Sequence, residues 1–88
     1  MKISTVITEV EREGLEALMN QNVVILCAVY IYAGELVGVG ETCIKLKNPK
    51  IVYETGEWSS KSWKDAQPLP GEYHYIQTAM IESFGAAK

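Results

Sequence analysis

Residues that could carry acid–base or nucleophilic chemistry are scarce in this 88-residue chain. His74 is the only histidine and Asp65 the only aspartate, an inventory that favours neither a Ser–His–Asp triad nor a histidine-rich metal site. Flanked by Tyr73 and Tyr75, His74 is interpreted as a strand residue rather than a general base. We therefore expect no enzyme, and no catalytic residue, metal or cofactor.

The two cysteines, Cys27 and Cys43, fall in segments that we expect to be strands. Neither has a second cysteine at the CxxC spacing. Free cysteine is among the residue types most often buried in protein cores. Buried thiols are therefore favoured over a disulfide or a metal site.

Lysine and tryptophan offer binding chemistry instead. A basic stripe could face phosphates, and a loop that holds two tryptophans beside lysines could stack single-stranded bases. The candidate RNA-binding residues are Lys45, Lys47, Lys50, Trp58, Lys61, Trp63 and Lys64. The alternative for the stripe, and the favoured one, is an ordinary solvated strand face. The alternative for the tryptophans is an anchor against a neighbouring subunit.

Composition restricts the partners. Eight basic and eleven acidic residues give a net charge of −3, which argues against strong attraction of the whole surface to nucleic acid or anionic membrane. The longest apolar run, Val23 to Ala33, is well below the ~20 residues that a membrane-spanning helix needs. The first residues match no signal-peptide pattern. We therefore expect a cytoplasmic protein with no membrane partner and no small-molecule substrate.

A single, mainly β domain over residues 1–88 should position these side chains. A capping-box match at Thr8 to Glu11 and apolar residues at helical spacing predict a short helix over residues 9–20, of which only the second half could form. Residues 1–12 are open to an extra strand or an arm. Residues 55–71, rich in Gly, Pro and Ser, are expected to form one long, variable loop.

Five strongly bent strands account for the rest. The segment from Asn22 to Tyr32 lacks charge on either face and is typical of a strand that is covered on both sides. Glycines in the segment 34–41 indicate bends or close backbone approach. Residues 42–47 alternate, with Ile44 and Leu46 on one face, and Asn48-Pro49 indicates a bulged or edge strand. Residues 73–77 and 80–84 complete the sheet.

This order resembles the Sm and Sm-like family over residues 15–84, most closely the Sm-like proteins of marine cyanophage-type sequences. Gly34-Glu35-Leu36 fits the Gly-x-Leu of the first family motif. Asn22 to Ile25 resembles the strand that follows the family helix. Ile76 to Ile81 has the length and terminal aliphatic residues of the second motif but lacks its polar centre. The resemblance implies an Sm-like fold, in which the helix precedes a five-stranded antiparallel sheet that forms a small open barrel.

The resemblance further implies a homo-oligomeric ring in which the fourth strand of one subunit pairs with the fifth strand of the next. The interface candidates are Tyr73, Tyr75, Ile76, Met80, Ile81 and Phe84. It also implies a non-catalytic role in single-stranded RNA binding or RNA metabolism, in the host bacterial cytoplasm if the chain is phage-encoded. The residues that form the uridine pocket in the family are replaced in this chain. The Asp-x-x-x-Asn turn of the first motif reads Gly40 to Cys43, and the Arg-Gly of the second motif reads Gln77-Thr78. The alternative is therefore a phage structural or protein-interaction module that keeps the ring without RNA binding.

Overall fold

The computed structural model describes residues 14–88, which form a mainly β protein. Six strands make one antiparallel sheet. They are β1 (Asn22–Cys27), β2 (Ile31–Val39), β3 (Cys43–Glu54), β4 (Asp65–Pro68), β5 (Tyr73–Gln77) and β6 (Ile81–Ala86). Two short 3₁₀ turns, Leu15–Leu18 and Thr78–Met80, precede β1 and β6.

The central part of the sheet runs β3-β2-β1-β6, and two strands share the outer side of β3. The first half of β3 pairs with β5, from Cys43 opposite Gln77 to Lys47 opposite Tyr73. The second half pairs with β4, from Lys50 opposite Pro68 to Glu54 opposite Asp65. Within the described residues, the sheet is therefore open, with β4 and β5 at one side and β6 at the other.

The core is apolar throughout the described residues and contains no buried polar or charged side chain. The main core cluster consists of Val23, Ile25, Leu36, Ile44, Leu46 and Ile76. Val24, between two members of this cluster, is also buried. Because successive side chains of a strand point to opposite faces, β1 is covered on both sides. This confirms the first part of the strand predicted from Asn22 to Tyr32. Beyond Cys27 the prediction is wrong, because residues 28–30 form an exposed turn and Ile31 begins β2.

A bulge bends the sheet where β2 and β3 pair. Ala33 lies opposite Lys50 and Glu35 opposite Lys47, so Gly34 alone faces the two residues Asn48 and Pro49. Asn48 has a left-handed backbone, with φ of 52°, which asparagine tolerates better than most residues. The bulged strand predicted from Asn48-Pro49 is therefore confirmed.

Gly34 is required by close backbone approach at this bulge. A Cβ atom at Gly34 would lie 3.0 Å from the Lys47 carbonyl oxygen and 3.3 Å from the Leu46 Cβ atom. We expect Gly34→Ala to lower the free energy of unfolding by about 1–3 kcal/mol, because the two backbones must separate. Gly85→Ala is the matched control, since a Cβ atom there meets nothing within 4 Å. Urea unfolding of both variants tests this, and equal stabilities would contradict it.

The described part of the helix predicted over residues 9–20 does not form an α-helix. Residues 9–13, like the possible arm or strand at 1–12, lie outside the described residues. From Gly14 onward the chain forms only the four-residue 3₁₀ turn Leu15–Leu18. Gly14 and Asn20, with φ of 76° and 66°, bracket this turn and cannot continue a right-handed helix. Its apolar residues Leu15 and Leu18 still pack against the core.

The sheet has six strands where the sequence predicts five, because the predicted loop 55–71 contains β4. Ala66 pairs with Val52 and Gln67 with Ile51. This four-residue strand ends at Pro68, and such a short edge strand carries no alternating apolar pattern. Within residues 14–88, no helix is long and apolar enough to cross a membrane.

Candidate functional site

Four of the lysines lie around one cavity of about 490 Å³ between the β3–β4 loop and the sheet. Its charged lining residues are Lys50, Lys61, Lys64, Lys88 and Asp65. Trp63 also lines the cavity. The structure thus brings together four of the seven predicted RNA-binding residues, namely Lys50, Lys61, Trp63 and Lys64. We call this cavity the lysine groove.

The lysine groove carries excess positive charge in a protein whose net charge is −3. Four lysines line it, and among the described residues Asp65 is the one acidic side chain in its lining. The Lys64 ammonium lies 3.3 Å from the Glu54 carboxylate, but both side chains are largely exposed. Exposed ion pairs contribute little and exchange readily. Lys50, Lys61 and, when this pair opens, Lys64 can therefore offer ammonium groups to phosphates, whereas Lys88 is held in the loop.

Lys45 and Lys47 belong to a separate place, the first half of β3, where β5 is the neighbouring strand. The Lys45 ammonium lies 4.0 Å from the ring centroid of Tyr73 and 5.7 Å from that of Tyr75. The Lys47 ammonium is 3.9 Å from a carboxylate oxygen of Glu72. Each of these two lysines already has an intramolecular partner. The basic stripe predicted from residues 45, 47 and 50 is therefore divided between two environments.

The two tryptophans of the loop form an aromatic corner. The rings of Trp58 and Trp63 stand nearly perpendicular, at 86°, with centroids 5.6 Å apart. The Lys88 ammonium lies 5.5 Å from the Trp58 centroid and 4.8 Å from the Trp63 centroid. It also donates hydrogen bonds to the backbone carbonyl oxygens of Thr55 and, at 2.7 Å, Glu57. The corner predicted as a base-stacking platform thus holds a side chain of the same chain.

The residues that the resemblance aligns with a uridine pocket, in the segments 40–43 and 77–78, also lie close together. The Thr78 backbone N–H donates to the Thr42 carbonyl oxygen at 2.9 Å, and the Thr78 hydroxyl donates to the Glu41 carbonyl oxygen at 3.1 Å. These residues line a pocket with Tyr75 and Gln77. Of the residues that the structure describes, Glu41 is the only charged one in its lining, so within this part of the chain the pocket offers no cation to a phosphate.

The predicted interface residues divide by exposure. Tyr73, Tyr75, Met80 and Phe84 are exposed, between 41% and 60%. Ile76 is only 5% exposed and belongs to the core cluster, so its side chain packs within one subunit and its place at an interface stays a prediction. Its side chain points into the sheet because it alternates with Tyr75 along β5. Ile81 is half-buried and packs against the core.

Three groups with possible acid–base or nucleophilic chemistry, His74, Cys27 and Tyr32, lie within strands of the sheet. His74 stacks on Tyr32, with ring centroids 5.6 Å apart. Burial, and after it the charge of Glu82, raises the pKa of the Cys27 thiol, which disfavours the reactive thiolate. Burial, followed by Cys27 and Tyr30, raises the pKa of the Tyr32 hydroxyl. Both cysteines are free thiols, and residues 14–88 contain no His, Cys, Asp or Glu cluster that could hold a metal ion.

Sequence reasoning missed Lys88, which contributes to both the lysine groove and the aromatic corner. It lies 25 residues from Trp63 along the chain, and no periodicity or motif connects these positions. The pairing of β6 with β1, which places Ala86 opposite Val23, brings the end of β6 to the loop. Only the strand order, not any local signal, could have indicated this contact.

Comparisons of the chain with models of protein families, with curated proteins and with solved structures gave no match. The functional assignment therefore depends on the residues and geometry described above.

Proposed function

We propose that the chain is a non-catalytic, ring-forming Sm-like protein that binds single-stranded RNA. The observation that carries this proposal is the open sheet, in which β5 and β6 each pair along one side only within the described residues. The order β5-β3-β2-β1-β6, with a 3₁₀ turn between β5 and β6, supports the resemblance stated above.

The outer edges of β5 and β6 offer hydrogen-bonding groups to a second copy. Hydrogen bonds join Asn48 to Glu72 and Thr78 to Thr42 across β3 and β5. Because the backbone groups of a strand alternate in direction, the N–H and carbonyl groups of Tyr73, Tyr75 and Gln77 point away from β3. The Ala87 N–H donates to the Asn22 carbonyl oxygen and therefore points towards β1. By the same alternation along β6, the N–H and carbonyl groups of Phe84 point away from β1. A heterologous pairing of these two edges would generate a ring.

Exposed apolar side chains on and beside these edges supply burial for such an interface. Tyr75 is 60% exposed, Met80 56% and Phe84 41%. A chain of this size buries only about 60–65% of its unfolded surface alone, so further burial between subunits would stabilise it. The strand edges and the exposed apolar residues therefore support one arrangement, in which β5 of each subunit pairs with β6 of the next.

For RNA, the lysine groove is the better-supported contact surface. Lys45 and Lys47 lie apart from the groove, beside β5. Among the described residues, the pocket at Thr42 and Thr78 carries only the negative charge of Glu41. A ring would repeat the groove once per subunit, which multiplies weak phosphate contacts into avidity.

The triple variant K50A/K61A/K64A tests this surface. We expect it to weaken binding of fluorescent oligo-U and oligo-A, and to lower the slope of log affinity against log salt by about 2, since each lost phosphate contact on a single strand removes about 0.7. Fluorescence anisotropy at several salt concentrations measures both quantities.

The double variant K45A/K47A is the control, because it removes positive charge outside the groove. Its salt slope should stay closer to that of the wild-type protein. Absence of saturable binding by the assembled wild-type protein at micromolar concentration would reject the RNA proposal. Equal slopes for both variants would reject the groove as the contact surface.

The alternative is a structural or protein-interaction module, phage-encoded, that keeps the ring and binds no RNA. The net charge of −3 and the occupation of the aromatic corner by Lys88 favour this alternative. Under this alternative the triple variant assembles like the wild-type protein and neither binds RNA. Under either function we propose a cytoplasmic location, in the host bacterium if the chain is phage-encoded.

A further inference from the structure

The aromatic corner formed by Trp58 and Trp63 has the features of a cation-binding site. Trp58 and Trp63 present two nearly perpendicular ring systems to one ammonium group. Both ring centroids lie within the ~6 Å at which a cation is attracted to an aromatic ring. Three carbonyl oxygens approach the same ammonium, those of Thr55, Glu57 and Ser62, the last at 3.4 Å.

The composition of this site selects a particular kind of cation. No carboxylate contacts the Lys88 ammonium among the described residues, so the rings and backbone dipoles stabilise its charge. A primary ammonium has three N–H donors, which matches the carbonyl acceptors from the loop. A quaternary ammonium would contact the rings but could not donate to those oxygens.

We propose that the Trp58–Trp63 loop is a binding site for a primary alkylammonium group, which Lys88 of the same chain occupies and which a free alkylammonium can fill when Lys88 is removed. The site joins the β3–β4 loop to the end of β6, because its rings and carbonyls come from residues 55–63 and its occupant follows Ala87. It does not depend on ring formation or RNA binding.

The test uses Lys88→Ala with n-butylammonium as the probe. Trp58 and Trp63 are the only tryptophans, so indole fluorescence and near-ultraviolet circular dichroism report on this site alone. We expect Lys88→Ala to change both signals, and n-butylammonium to restore them saturably at millimolar concentration. The wild-type protein should need a higher concentration, because tethering gives Lys88 an effective concentration in the millimolar range. Far-ultraviolet circular dichroism checks that the variant is folded.

Two controls separate this proposal from general effects of charge. Lys47→Ala removes a lysine that lies outside the groove, beside Glu72, and should leave the indole signals unchanged. Tetramethylammonium, which lacks N–H donors, should not restore the Lys88→Ala signals. The proposal is overturned if Lys88→Ala resembles the wild-type protein, if n-butylammonium has no saturable effect, or if tetramethylammonium restores the signals equally well.

Discussion

Replacing Tyr75 by proline should convert the proposed ring into folded monomers of 9.8 kDa. Proline removes the backbone N–H of residue 75, which points away from β3 and towards the proposed neighbouring subunit. Proline is tolerated at such edge positions because no bond within the sheet is lost. In contrast, the hydrogen bonds proposed between β5 and the neighbouring β6 are reduced by one per interface. The pyrrolidine ring of the proline also blocks close approach of that neighbouring strand. Sedimentation velocity measures the outcome.

Tyr75→Val is the matched control, since it removes the same aromatic side chain but keeps the N–H donor. It should remain assembled, with a somewhat weakened interface. Far-ultraviolet circular dichroism of both variants verifies that the sheet is intact. If Tyr75→Pro remained folded and oligomeric, β5 could not be the edge that pairs between subunits.

Leu46→Ala should have the largest effect on stability. Leu46 is fully buried in the core cluster, on the central strand β3, between β2 and β5. Truncating a buried leucine costs about 2–5 kcal/mol through lost burial and the cavity that remains. An 88-residue domain has a total stability of roughly 4–13 kcal/mol by the usual value per residue, so this variant should be near the threshold of folding. Urea unfolding at matched protein concentration gives the difference, because the proposed assembly would make stability concentration-dependent.

Val29→Ala serves as the comparison, because Val29 is 78% exposed in the β1–β2 turn. It should change the free energy of unfolding by no more than about 0.5 kcal/mol. A similar loss for Val29→Ala and Leu46→Ala would mean that the core lies elsewhere than described.

The features that were predictable from the sequence are those that local patterns encode. The alternation of Ile44 and Leu46 with Lys45 and Lys47 reports a half-buried strand, and the structure buries the aliphatic pair as that pattern predicts. The uncharged β1 and the bulge at Asn48-Pro49 follow from equally local chemistry. Each depends on the backbone preferences of a few neighbouring residues, so a single sequence suffices.

The features that were missed depend on long-range packing. Gly14 is compatible with a helix at a modest cost, and only its observed left-handed backbone shows where helical structure must stop. Strand β4 pairs because the loop returns to β3, not because its own residues alternate. The burial of the Ile76 side chain could not be predicted, since nothing in its neighbourhood shows which face of β5 is covered. Lys88 reaches the tryptophans through the strand order alone.

The most direct test of the central claim, that β5 and β6 complete each other between copies of this chain, is the mass of the wild-type protein under progressive dilution. Sedimentation velocity followed by mass photometry should find a closed oligomer with a mass that is a whole multiple of 9.8 kDa, persisting into the nanomolar range. A stable, folded monomer at every concentration would contradict the account.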